Sequence, residues 1–201
     1  MSEAATLTGE IKFEEHKLSS AVIHPSRVPA GDVIVIGDYA TADVPKPTSD
    51  FSAFVAGKIV QVDNHSHLYL LDGIMDRWQS RELAGQIVGF AQRLQPRYVY
   101  LERVALSQLL GDAIDLEAGK HNLNLGVRWI QPSNKKLAKD LRVKEFQNLF
   151  DAGRVHFVGN DFINGAFEQL GRYVGGKVQR GRHDEYPDIF GYFALLLTGQ
   201  L

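Results

Sequence analysis

The hydrophobic period of this 201-residue chain changes once, and that change limits the fold more than any other feature. From Val33 to Ile74 the apolar stretches are β-branched and aromatic. They are Val33–Gly37, Phe51–Val62 and His67–Ile74, parted by a Pro-containing loop over 40–50 and by Asp63-Asn64-His65-Ser66. This pattern predicts three antiparallel strands, the last two joined as a hairpin. Beyond them Leu83, Ile87, Phe90, Ala91 and Leu94 recur at helical spacing, and Pro96 stops that helix. Ser80-Arg81-Glu82-Leu83, just before it, resembles an incomplete capping box. The spacing then predicts a strand over 97–101, a helix over 105–121, a strand over 126–130, a helix over 135–150 and a short strand at Val155–Val158. Two helices follow, from Asp161 to about Tyr173 and from about Pro187 to Leu197. Antiparallel strands first and crossover units after imply an α/β fold with a mixed central sheet flanked by helices.

The length fits one domain. Residues 1–30, with Pro25 and Pro29, read as a lead-in or linker, and 31–201 as the folded unit. A hydrophobic content of 44% supplies a core, which makes disorder beyond the lead-in unexpected. With no cysteine, the chain has no disulfide, thiolate zinc site or cysteine nucleophile. No apolar stretch approaches the ~20 residues of a membrane span. Met1–Ala5 lacks the basic flank and apolar core of a signal peptide. A soluble, cytoplasmic protein without a membrane partner is expected.

Acids stand where these elements end. Asp38 closes Val33–Gly37, Glu102 closes Tyr98–Leu101, and Asp184 and Asp188 lie just before the last apolar helix. Each has an ordinary explanation. Asp38 could simply close a strand, Glu102 could cap a helix or pair with Arg103, and Asp184 and Asp188 could stabilise a helix N-terminus. Taken together they point elsewhere. Carboxylates at strand ends cost desolvation energy unless a cation binds them, and oxygen ligands suit Mg²⁺ or Mn²⁺. Two such ions clamp a phosphodiester for hydrolysis. Asp38, Glu102 and Asp184 or Asp188 are therefore the candidate catalytic metal ligands, with Asp43 and Asp50 as secondary candidates. His65, His67, His121 and His156 show no metal-ligand spacing, and Ser107 has no His/Asp partners in view.

The net charge of −2 is mild for a nucleic-acid binder, but the cations are clustered. Lys135, Lys136, Lys139 and Arg142 form one group, and Arg180 and Arg182 stand in another beside the last acids. Both read as solvated runs or as phosphate contacts that position DNA without reading its sequence.

Over about residues 32–199 these pieces resemble the nuclease domain of the large terminase subunit of tailed bacteriophages. The pieces are Ile36-Gly37-Asp38-Tyr39-Ala40 with Ser49–Ala53, Val99–Glu102, Lys139–Arg142 with Phe150–Val155, and His183–Asp188. The resemblance implies a ribonuclease H-like fold, two divalent ions and cutting of double-stranded DNA during genome packaging in a host cytoplasm. It also implies an ATPase motor domain, a portal and a small terminase subunit as partners. The family's last motif often has two adjacent aspartates, where this chain has Asp184-Glu185, so Asp184 and Asp188 both stand as the third ligand. No Gly-x-x-x-x-Gly-Lys-Ser/Thr phosphate loop occurs. A junction resolvase, a ribonuclease H and a non-catalytic nucleic-acid-binding domain are the alternatives on the same fold. An actin-like phosphotransferase is disfavoured because glycine-rich phosphate turns are missing after the first strands.

Overall fold

The computed structural model describes residues 10–40, 49–131, 136–173 and 184–201, with the backbone alone for 136–138. The expected loop over 40–50 thus falls largely outside the described residues. The first long strand, β2 (Val33–Asp38), is buried on both faces. It pairs antiparallel with β3 (Ser52–Val62), and β3 pairs antiparallel with β4 (His65–Asp76). Asp63 and Asn64 connect β3 to β4 at φ of 48° and 65°. Positive φ at both central residues is what a tight hairpin demands, and Asp and Asn tolerate it best after glycine.

Helix α2 (Ser80–Leu94) leads to β5 (Tyr98–Glu102), which returns parallel beside β2. Glu82 Oε2 accepts from the Gln79 amide at 2.9 Å, so the capping box is complete one residue earlier than the sequence pattern placed it. Helix α3 (Ser107–Lys120) and strand β6 (Gly126–Ile130) continue the parallel run. Helix α4 (Lys136–Asp151) then crosses to β7 (Val155–Val158), which pairs parallel with β4. Helices α5 (Phe162–Arg172) and α6 (Glu185–Leu197) complete the fold. Among the described residues the sheet has seven strands, in the order β1-β7-β4-β3-β2-β5-β6, where β1 is Val22–Ile23.

Alternate residues of the central strands feed two cores. Val35, Phe54 and Ala56 pack with α2 and α3, while Ile34, Ile36, Val55, Leu68 and Leu70 pack with α4, α5 and α6. This two-sided burial explains why β2 reads as an unbroken apolar run. Residues 10–30, read from the sequence as a lead-in, belong to the second core. Ile11, Phe13 and Leu18 are buried, α1 (Glu15–Ser20) packs near α5, and β1 pairs with β7. Phe13 meets Phe146 and Phe150 of α4 at ring distances of 5.9 and 5.7 Å. No helix of the described residues is long and apolar enough to cross a membrane.

Close approach of α4, α6 and the sheet depends on glycines. A Cβ at Gly191 of α6 would lie 2.7 Å from Arg142 Cβ, and one at Gly57 would lie 2.9 Å from the Phe193 ring. Gly37 leaves room for Phe54, whose ring would be 2.3 Å from a Cβ there.

Candidate metal centre

Strands β2 and β5 are parallel neighbours with Gly37 opposite Leu101, so Asp38 and Glu102 emerge side by side at their C-terminal ends. That edge, where the strand order switches from one side of β2 to the other, is the usual place for a ligand in such sheets. Tyr39, which follows Asp38, is buried and its hydroxyl lies 2.9 Å from Ser107 Oγ. Ser107 Oγ in turn accepts from the Val104 amide at 2.7 Å. These bonds tie the exit of β2 to the segment that follows Glu102. Asp188 arrives from the other direction, in the first turn of α6, which packs on β2 and β3. Ligand oxygens of Asp38, Glu102 and Asp188 all lie within 4.8 Å of one another.

The final helix begins at Glu185, two residues before Pro187. Proline is tolerated in a first helical turn because the amides there have no intrahelical acceptor. The earlier start places Asp188 on the helix face that enters the core, 6% exposed.

Electrostatics at this point are strained towards a cation. Burial, then Glu102 and then Asp188, push the Asp38 carboxyl up to about 7. Burial and Asp188 likewise push Glu102 up, against the pull of Arg142. Two side chains of α4 partly offset the acids. Arg142 forms a buried ion pair with Asp188 Oδ1, its guanidinium 4.2 Å over the Tyr192 ring. Lys139 Nζ stands 3.1 Å from Asp184 Oδ2 and 3.4 Å from Asp188 Oδ2. Burial pushes the Lys139 ammonium down, but Asp188 and Asp184 outweigh it and hold the group above its ordinary value. An oxygen-only trio with this excess of negative charge fits a hard divalent ion such as Mg²⁺ or Mn²⁺.

No family model and no curated protein matches the chain. Solved structures do. A mutant of the large terminase subunit of bacteriophage Sf6, with calcium, aligns at a TM-score of 0.61 and 9% identity, over 90% of this chain and 97% of that one. The P22 large terminase nuclease domain aligns at 0.60 and 14% identity, over 92% and 90%. The fowlpox virus Holliday junction resolvase aligns at 0.51 and 13% identity, over 83% and 99%. The chain has the ribonuclease H-like fold of the terminase nuclease domains.

Within the ribonuclease H-like fold, the residues singled out from sequence separate. Asp38, Glu102 and Asp188 come together. Asp184 stands at the N-cap of α6, outside the trio and held by Lys139. Asp50 is exposed two residues before β3, and Asp43 lies outside the described residues. Of the expected DNA contacts, Lys135, Arg180 and Arg182 lie outside the described residues, and Lys136 is described by its backbone alone. Arg142 is 7% exposed and turned towards Asp188, so its guanidinium is not presented to a DNA surface. Lys139 likewise faces acids. The charge run concealed a signal of this: Lys139 and Arg142 share one face of α4 with Val143, Phe146 and Phe150, which are buried in the core. His67 and His156 also meet across β4 and β7, Nδ1 to Nε2 at 2.9 Å, a contact that no local spacing reveals.

Proposed function

We propose that the chain is a divalent-metal-dependent endonuclease that hydrolyses double-stranded DNA, as the nuclease domain of a phage terminase does. The convergence of three carboxylates on one point at the ends of β2 and β5 carries this reading. Asp38, Glu102 and Asp188 would hold the ions. Two ions, when bound, supply charge stabilisation at the attacking and leaving oxygens of the phosphodiester. Sf6 terminase structures of the same fold hold manganese in one case and calcium in another.

The protein's own part is orientation. Arg142 fixes one oxygen of Asp188, which leaves the other facing Lys139 and the trio. Lys139 neutralises Asp184 and Asp188 while the trio carries no ion, and Asp184 keeps the ammonium close once the trio is filled. Tyr39 and Ser107 hold the backbone on which Asp38 and Glu102 sit. Residues 31–201 form the nuclease unit, with 10–30 folded onto it. An ATPase motor, a portal and a small terminase subunit would be its partners in a host cytoplasm.

Supercoiled plasmid incubated with Mn²⁺, with Mg²⁺ and with EDTA tests the reading. Nicking or linearisation that needs metal and is lost in Asp38→Asn supports it. Preference for a four-way junction or an RNA–DNA hybrid over linear duplex would assign the site to a resolvase or ribonuclease H instead.

A further inference from the structure

The shelf formed by β5 and β6, the outermost strand on that side among the described residues, presents one arginine in an unusual setting. Arg128 is exposed, and its guanidinium lies 3.8 Å from the Tyr98 ring centroid and 5.8 Å from that of Tyr100. Its Nη1 is 3.5 Å from the Tyr100 hydroxyl. Among the described residues Arg128 has no carboxylate within ion-pair distance, whereas its neighbour Arg97 is paired with Asp32. A cation–π contact of this exposed kind is worth only ~0.5–1 kcal/mol. It does, however, hold the planar fork in one orientation, which lowers the entropy lost when the fork grips an anion.

The register ties this arginine to the acidic trio. Arg128 pairs with Tyr100, and the next pair on the same face is Ile130 with Glu102. Val127 and Trp129 turn to the opposite face, against the α2–α3 core. Arg128 thus stands one same-face step behind Glu102, roughly 7 Å along the strand.

We propose that Arg128, braced by Tyr98 and Tyr100, grips a backbone phosphate of the DNA strand flanking the one to be cut. The inference rests on the nuclease reading and names a contact for it. A duplex supplies the phosphate, because an oriented guanidinium matches two phosphate oxygens at once. The tyrosine face nearest the fork is already covered, so the contact is to backbone and carries no sequence preference.

Fluorescence anisotropy of a short labelled duplex, titrated with the full chain in EDTA across a salt series, tests this without cutting. Arg128→Ala should weaken binding roughly tenfold at moderate salt and lower the slope of log K against log salt by about one. Tyr98→Phe keeps the ring and should bind as wild type, whereas Tyr98→Ala should fall between wild type and Arg128→Ala. Equal affinity and equal slope for Arg128→Ala and wild type would overturn the inference and leave the nuclease reading standing. Failure of the wild type to bind duplex at all would remove the nuclease reading and this inference with it.

Discussion

Arg142 and Asp188, 46 residues apart in sequence, form a buried ion pair that anchors one member of the acidic trio. Their approach depends on Gly191, whose missing side chain lets α4 lie against α6. The pair links the packing of two helices to the orientation of one proposed metal ligand. Breaking a buried pair from one side leaves an uncompensated charge and costs about 3–5 kcal/mol. Arg142→Ala should therefore destabilise the metal-free protein by about that much, and Mn²⁺ should restore part of the loss by neutralising Asp188. Thermal denaturation with EDTA and with Mn²⁺ checks both halves. Equal destabilisation in the two conditions would place Asp188 outside the metal site.

Gly191→Ala tests the same contact through packing alone. Its Cβ would meet Arg142 Cβ at 2.7 Å and the Arg142 carbonyl carbon at 3.0 Å, so α4 must shift. Overpacking of this kind costs about 1–3 kcal/mol. The shift should also pull Arg142 from Asp188, so metal affinity should fall in calorimetry together with the melting temperature.

Asp38 should trade stability for function. Its folded-state carboxyl is pushed up to about 7 by burial, Glu102 and Asp188, so the ionised form is disfavoured without metal. Asp38→Asn should remove that repulsion and stabilise the metal-free protein by about 1–3 kcal/mol, a range discounted for partial contact with water. The same change should lower plasmid cutting at least ~100-fold. Denaturant melts in EDTA read the first effect and the plasmid assay the second.

The pH dependence follows from the sign of the same shift. An acid whose folded-state value is raised favours the protonated native state. Its stabilisation is present below about 4 and is lost as pH rises through about 7. Glu102, also raised, acts in the same direction. Metal-free stability should therefore decline across that window. Metal needs the ionised carboxylates, so stabilisation by Mn²⁺ should grow over the same window. Melting temperatures from pH 5 to pH 8, with EDTA and with Mn²⁺, should diverge as pH rises.

Asp38 and Glu102 were legible because each closes a run whose residues alone define a buried strand, and parallel strands align their C-terminal ends. The mixed sheet was legible for the same reason, since Asp63-Asn64 marks the hairpin and Pro96 ends α2. The third acid stayed ambiguous. Asp184 and Asp188 are four apart, and only the packing of α6 decides which one enters the trio. Lys139 and Arg142 were read as DNA contacts because a run of cations does not reveal which helix face is buried. The first segment lacked a signal altogether. A six-residue helix and a two-residue strand show no period, and their partners, α5 and β7, come more than a hundred residues later.

The central claim is that Asp38, Glu102 and Asp188 form a divalent-metal site. Calorimetric titration with Mn²⁺ of the wild type, Asp38→Asn, Asp188→Asn and Asp184→Asn tests it directly. The account predicts saturable binding by the wild type, its loss in Asp38→Asn and Asp188→Asn, and its retention in Asp184→Asn. No binding by the wild type, or unchanged binding by Asp38→Asn, would contradict it.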